Sequence, residues 1–467
     1  MWERINKWVQ GQKQATRWDT VKILVVGFLG VILVGAILLW LPISNQEPME
    51  FMDALFTSVT CICVTGLITI TPATQLTVFG KVVMLILIQI GGLGVIACVA
   101  IFFFLMKKRI SMKERIVIQE SYSGDRLGGV VAMIRKVIIG TFVVEGIGAI
   151  GYALDFVPRY GFLKGILYAI FHSVSAFCNA GIDILGDNSL ANYVGNPIIN
   201  ITTAAMIIMG GLGFIVWYDF LNNIRNVINK KVPRRWWFTR LTLHSKLVLV
   251  MTAFLLVSGT VLIFLMESGN PDTMGGLSLG QKWMAAFFQS VTTRTAGFYS
   301  ITQSCLHEET KFLCCILMFI GGSQGGTAGG VKTITVALLA LTCLTAIRGG
   351  RDIECFGRKI PNDEVRTGLT IVFVSMTALF VGVMAILIME PDSIKFIDIL
   401  YEATSAVATV GLTADLTPHL CRGSQIVLML LMYIGRVGPV TLALLFVGKS
   451  DPKDHIRRLP EERIVIG

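Results

Sequence analysis

The sequence predicts an all-α polytopic membrane protein made of four pseudo-symmetric repeats around a central pore. Three observations lead there. First, 54% of the 467 residues are hydrophobic and 15% are charged, with a mean hydropathy of +0.71; soluble domains carry roughly 25% charged residues. Second, eight runs reach the length of about 20 residues that a bilayer crossing needs: 21–41, 78–106, 137–156, 198–221, 247–266, 312–347, 369–389 and 426–447. Third, the chain resembles itself at a period near 115 residues. This composition excludes soluble enzymes and nucleic-acid binders, so the net charge of +10 has to be read from where the basic residues sit.

In chain order, residues 1–20 form a cytoplasmic N-terminal segment in which Trp2, Trp8 and Trp18 alternate with basic residues. Repeat one covers 21–110, and a cytoplasmic loop follows at 111–136. Repeat two covers 137–224 and its loop 225–246. Repeat three covers 247–347, the loop 348–366, repeat four 367–447 and the cytoplasmic tail 448–467. Inside the repeats lie shorter half-polar stretches at 51–64, 163–177, 281–293 and 394–407. They are too short to span and read as re-entrant helices. Of the 40 Lys and Arg, 30 fall in residues 1–22, 107–136, 225–246, 348–366 and 449–467. The positive-inside rule therefore puts both termini in the cytoplasm. The outer face is net acidic, which concentrates cations and repels anions. The cysteines, such as Cys61, Cys63, Cys314 and Cys315, lie in apolar runs without metal-ligand spacing and read as small hydrophobes.

The repeat centres on a glycine. Gly66, Gly181, Gly297 and Gly411 follow one another at 115, 116 and 114 residues, each with an aromatic residue ten positions earlier. A second glycine recurs in the next span at Gly91, Gly210, Gly321 and Gly435. A short helix that enters from outside and stops at mid-membrane aims its negative C-terminal end at the axis, which favours a cation. The chain then returns extended, with carbonyls facing the axis, and glycine permits that backbone. The segments Val64-Thr65-Gly66, Asn179-Ala180-Gly181, Thr295-Ala296-Gly297 and Thr409-Val410-Gly411 are degenerate relatives of the potassium-channel filter TVGYG and read as one shared selectivity filter for potassium. Helix packing explains a single such glycine; four in register point to a filter.

These residues resemble the Trk/Ktr/HKT superfamily of potassium transporters, most closely its bacterial Ktr membrane subunit, over nearly the whole chain. The resemblance rests on Cys63-Val64-Thr65-Gly66-Leu67, on Thr293-Arg294-Thr295-Ala296-Gly297-Phe298, on the run from Gly321 to Thr333, on Tyr433-Ile434-Gly435-Arg436-Val437-Gly438-Pro439, and on Pro460-Glu461-Glu462-Arg463. It implies potassium uptake across the plasma membrane by gated, channel-like conduction. It also implies a homodimer with a pore in each subunit, a cytosolic ring of nucleotide-binding regulatory subunits, and sodium as an activator. Gly181-Ile182-Asp183 departs from the Gly-Phe more usual in that repeat, while the presence of all four filter glycines favours potassium over sodium.

The sixth apolar run contains Gly321, Gly322, Ser323, Gly325, Gly326, Gly329, Gly330 and Lys332. At about 1 kcal/mol per glycine it cannot remain helical, and irregular backbone at membrane depth must be buried or line a water path. It reads as a loop below the filter that obstructs the pore, the gating role that the resemblance also implies. Arg436 and Lys332 are costly charges at membrane depth. Arg436 is expected to repel cations or to hold the loop through its carbonyls, Lys332 to anchor the loop's lower end, Glu145 to serve as counter-charge for either, and Arg294 to support the filter from behind. Gly321-Gly322-Ser323-Gln324-Gly325 also fits the G-x-S-x-G pattern of a serine nucleophile, but the strand and histidine base such an elbow needs are missing from the pattern. The basic loops 107–136 and 225–240 suit contact with anionic membrane lipid. An alternating-access carrier and an intramembrane serine hydrolase remain the rival readings. No cofactor is expected, with potassium as the transported ion and nucleotide bound only by the partner subunit.

Overall fold

The computed structural model describes residues 25–94, 130–186, 188–229, 233, 237–350 and 352–438. The N-terminal segment, most of the loop at 111–136 and the tail at 448–467 lie outside the described residues. Repeat one comprises α1 (Val25–Trp40), the short α2 (Phe51–Cys63) and α3 (Val78–Leu93). Repeat two comprises α4 (Val130–Tyr160), the short α5 (Phe162–Cys178), α6 (Pro197–Leu212) and α7 (Phe214–Ile228). Repeat three has α8 (Leu243–Glu267), the short α9 (Leu279–Thr292), α10 (Glu308–Phe319) and α11 (Thr333–Ile347). Repeat four has α12 (Asn362–Met389), the short α13 (Phe396–Val407) and α14 (Arg422–Val437).

Local chemistry sets where these helices begin. Thr77 accepts from the Gly80 N–H, Asn196 accepts from the Ile198 and Ile199 N–H groups ahead of Pro197, and Ser278 with Gln281 closes a capping box. Among the described residues, α4, α8 and α12 are long and apolar enough to cross a membrane, and α6 with α7 makes a fourth crossing if the bent pair counts as one. Their outward side chains are apolar, as at Ile147, Leu154, Phe254, Phe373 and Ile388. Thr, Ser and Gly residues collect inside around the four short helices, the inside-out arrangement expected of a protein solvated by lipid.

The run 198–221 is not one straight span, contrary to expectation: the helix ends at Leu212, Gly213 takes φ +86°, and α7 leaves at 97° to α6. The fold is all-α as expected, with one small hairpin added between β1 (Ile353–Cys355) and β2 (Arg358–Ile360). Its turn residues Phe356 and Gly357 both have positive φ, the backbone a two-residue hairpin favours.

Polar contacts close each junction between successive repeats. Gln89 donates to Glu145 at 3.0 Å, Leu190 N–H to the Tyr299 carbonyl at 3.0 Å, Lys311 pairs with Asp398 at 2.7 Å, and Arg422 pairs with Asp53 at 2.7 Å. The last joins repeat four to repeat one and completes the circle. Glu145 thus bonds Gln89 rather than serving as the counter-charge expected for Lys332 or Arg436.

Candidate functional site

The four short helices end alike. Each stops at a C-terminus followed by a residue in the left-handed region: Val64 at φ 55°, Asn179 at 60°, Thr295 at 69° and Thr409 at 51°. Each of these lies two positions before a ring glycine. In repeats one, two and four the next N–H then reaches back to the helix, from Thr65 to Thr60 O, Ala180 to Ser175 O and Val410 to Ser405 O, at 2.8–2.9 Å. This is a Schellman ending with a non-glycine residue at its left-handed position. That conformation costs an L-residue about 1–2 kcal/mol, and three of the four are β-branched. Three repetitions of such strain, with a fourth close relative, mark a backbone held for a purpose.

The glycines meet. A Cβ placed on Gly66 would stand 2.6 Å from the Ala180 carbonyl oxygen and 3.2 Å from Gly411 Cα. On Gly297 it would stand 2.7 Å from the Val410 oxygen and 3.0 Å from Gly181 Cα, and on Gly411 it would meet the Thr65 oxygen. On Gly181 it would meet the Ala296 oxygen. Gly66, Gly181, Gly297 and Gly411 therefore form a ring in chain order, and the carbonyl of the residue before each one, Thr65, Ala180, Ala296 and Val410, lies against its neighbour in that ring. All four have positive φ, from 64° to 108°, backbone that glycine adopts without steric cost.

A set of hydroxyls that the sequence reading passed over braces this ring. Gly66 N–H donates to Thr60 Oγ1 and Gly411 N–H to Ser405 Oγ, both at 2.9 Å. Ser175 Oγ donates to the Ile182 carbonyl at 2.6 Å, and Thr292 Oγ1 donates to the Phe298 carbonyl. A hydroxyl residue five or six positions before each ring glycine was the available signal. In repeat four, the fully buried Glu402 adds a carboxylate that accepts from Thr413 Oγ1, Ala414 N–H, Leu416 N–H and Thr417 Oγ1. It fixes the return segment beyond Gly411.

The second set of glycines makes room for the short-helix ends. A Cβ on Gly91, Gly210 or Gly435 would collide with the carbonyl of Ile62, Phe177 or Val407, each four residues before its ring glycine. Gly321 breaks that pattern, since it packs against Gly329 of its own loop.

From Ile320 to Lys332 the chain is not helical. Ile320 and Val331 form a parallel bridge, and Gly321 N–H donates to the Val331 carbonyl at 2.9 Å. The loop joins the end of α6 through backbone bonds: Ser323 N–H to Gly211 O at 2.9 Å, Thr327 N–H to Gly210 O at 3.2 Å, and Phe214 N–H to Gly325 O at 3.0 Å. Thr327 Oγ1 donates to the Phe177 carbonyl at the end of α5, while Gly329 and Gly330 lie against Ala408 and Thr409 at the end of α13. The loop is thus seated directly on two of the short-helix ends.

Arg436 donates to the carbonyls of Thr327 and Gly91, tying the loop to repeat one. Lys332 Nζ donates to Ala328 O at 2.6 Å within the loop. Ser323 is buried with its hydroxyl near the Gln324 carbonyl, and His172 bonds Tyr168, so the two do not form a nucleophile–base pair. Arg294 is buried, with Nε and one terminal nitrogen unpartnered among the described residues, and it lines a small cavity with Thr252, Val291 and Gly322.

The family described as TrkH, cation transport protein, matches residues 5–457. The potassium uptake protein B of the Ktr system of Bacillus subtilis is 35% identical, with 95% of each chain covered. The potassium/sodium uptake protein NtpJ of Enterococcus hirae is 38% identical over 97% of this chain and 98% of its own. The solved structure of the potassium transporter TrkH from Vibrio parahaemolyticus superposes with a TM-score of 0.72 at 18% identity, covering 92% of this chain and 85% of that one. At that identity it shows the fold.

Proposed function

The chain belongs to the TrkH family of cation transport proteins, and from that premise we propose that its glycine ring is the potassium filter and its glycine-rich loop the gate of a regulated uptake pathway. It is a potassium-uptake transporter of the Trk/Ktr type and not an enzyme. The convergence of Gly66, Gly181, Gly297 and Gly411, each beside the carbonyl before its neighbour, carries this reading. A dehydrating cation needs several oxygens at once, and a braced ring of backbone carbonyls supplies them without side-chain charge.

Conduction then runs from the acidic outer face through the ring toward the loop seated on the ends of α5 and α13. Opening means releasing that loop. The chain works as a homodimer in the plasma membrane, both termini cytoplasmic, under a cytosolic nucleotide-binding subunit. Sodium enters as an activator or a competing ion, in keeping with the potassium/sodium relative. The test is competition between potassium and sodium for uptake in a transporter-deficient strain. Serine at two or more ring glycines should lower the potassium-to-sodium ratio, and an unchanged ratio would remove the ring from selection.

A further inference from the structure

The helix α7 leaves a broad set of large apolar side chains outside the protein. Tyr218, Leu221 and Ile228 are 47%, 61% and 72% exposed, and Phe220 and Ile224 share their face. The opposite side is turned into the protein, where Phe214 and Val216 are buried and two polar residues are satisfied. Asn223 is 6% exposed and donates to the Trp237 carbonyl, and Asp219 accepts from the N–H and hydroxyl of Thr242, both at 2.9 Å. Large apolar side chains left outside beside Arg225, with the inward polar groups hydrogen-bonded, suit the boundary between acyl chains and headgroups.

The position agrees. α6 has 16 residues, about 24 Å at 1.5 Å per residue, which nearly traverses a hydrocarbon core of about 30 Å. The 97° bend at Gly213 then turns α7 along the membrane plane at the inner edge. α6 also exposes apolar side chains, Ile198 and Ile201 at its start and Met209 next to the bend. Lys136 stacks over Tyr218 at 4.8 Å, and Arg225 stands in the last turn. The sequence goes on with Lys230, Lys231, Arg234 and Arg235, charges that suit an anionic leaflet.

The first residue of α7 holds the glycine-rich loop, through Phe214 N–H to Gly325 O at 3.0 Å. A Cβ on Gly213 would stand 2.7 Å from the Gln324 carbonyl, so the bend and the loop pack backbone to backbone. Trp217 Nε1 donates to Met209 O across the bend at 3.0 Å and makes the corner stiff.

We propose that α7 is a lipid-seated lever: anionic phospholipid of the inner leaflet binds its apolar and basic face and holds the loop where it stands, lowering flux. This rests on the reading of the loop as a gate. The test uses the full chain, purified and reconstituted in phosphatidylcholine vesicles with and without phosphatidylglycerol. Phosphatidylglycerol should lower the basal potassium flux of the wild type about fivefold, the scale of one basic residue meeting an anionic surface. Leu221→Gln with Ile228→Gln should remove that response and leave the potassium-to-sodium ratio intact. In a background with Cys305, Cys343 and Cys421 replaced by serine, a spin label at position 221 should collide with oxygen and not with an aqueous nickel chelate.

A double variant that keeps the full lipid response overturns the proposal. So does a label at 221 reached by the chelate, or one broadened by a second label, which would assign the face to another copy of the chain. Absence of potassium flux in every vesicle counts against the transport reading instead, and the label still decides where α7 lies.

Discussion

Thr327 donates its hydroxyl to the carbonyl of Phe177, 3.0 Å away and 150 residues earlier in the chain. Phe177 closes the last turn of a short helix that ends at the glycine ring, and Thr327 is the middle of the loop below it. On the proposed reading of the ring as filter and the loop as gate, one hydrogen bond joins the two. Thr327→Val keeps the shape and removes the donor, a loss of about 0.5–1.5 kcal/mol. Basal potassium uptake should rise by roughly 2- to 10-fold with the potassium-to-sodium ratio unchanged, measured in cells lacking other uptake systems. A drop in uptake would show that the bond serves the open pathway.

Arg436 grips the same loop from the other side, through the carbonyls of Thr327 and Gly91. A guanidinium reaches two acceptors at once with its planar fork, and a lysine cannot. Arg436→Ala and Arg436→Lys should therefore both raise conduction in the absence of activating nucleotide, lysine nearly as much as alanine. Full rescue by lysine would reduce the role of Arg436 to charge alone. Deleting 325–329 should act in the same direction and more strongly.

Gly66 has φ +108°, and a Cβ there would stand 2.6 Å from the Ala180 oxygen. Gly66→Ser should widen or tilt the ring and weaken preference for potassium over sodium in uptake competition. Gly30 faces open space, so Gly30→Ala should leave the ion ratio alone. Equal ratios in both variants would separate the ring from selectivity.

Glu402 discriminates between two substitutions. Its Oε1 takes the hydroxyl of Thr413 and the N–H groups of Ala414 and Leu416, while Oε2 takes only the Thr417 hydroxyl. Glutamine can keep its oxygen toward the two N–H groups and let the Thr417 hydroxyl turn round to accept. Glu402→Gln should stay within about 1.5 kcal/mol of wild type, whereas Glu402→Ala orphans the Ala414 N–H at about 1–3 kcal/mol and leaves the Leu416 N–H only its 3.3 Å bond to Thr413 Oγ1. Thermal unfolding in detergent should show a clearly lower midpoint for alanine only. Equal midpoints would mean that water replaces the carboxylate without loss.

The legible part of this protein was what recurs. The ring glycines, the short helices before them and the breakdown of helix between Gly321 and Lys332 follow from register, length and glycine content. The left-handed residues Val64, Thr295 and Thr409 were not legible, because a β-branched side chain gives no local sign that tertiary packing will hold it at positive φ. Gly213 was hidden for the opposite reason. A single glycine in an apolar run is ordinary in membrane helices, and only the seating of the loop against it makes it a corner. Glu145 drew attention as a buried charge in search of a cation; Gln89 of the preceding repeat meets it instead, a pairing that spacing alone could not indicate.

The hydroxyls behind the ring differ in what they offer. Thr60 and Ser405 receive a hydrogen from the ring amides, while Ser175 and Thr292 give theirs to carbonyls just past the ring. Gly66 and Gly411 are neighbours, as are Gly181 and Gly297, so the wall is tethered by amides on one flank and by carbonyls on the other. Losing the hydroxyl from the first flank strands an N–H, which rarely goes unmet in a folded protein, while the second strands a carbonyl, which is better tolerated. A ring that is fourfold in outline is therefore lopsided in its vulnerability, and damage to its brace will be felt most where the first and last repeats touch.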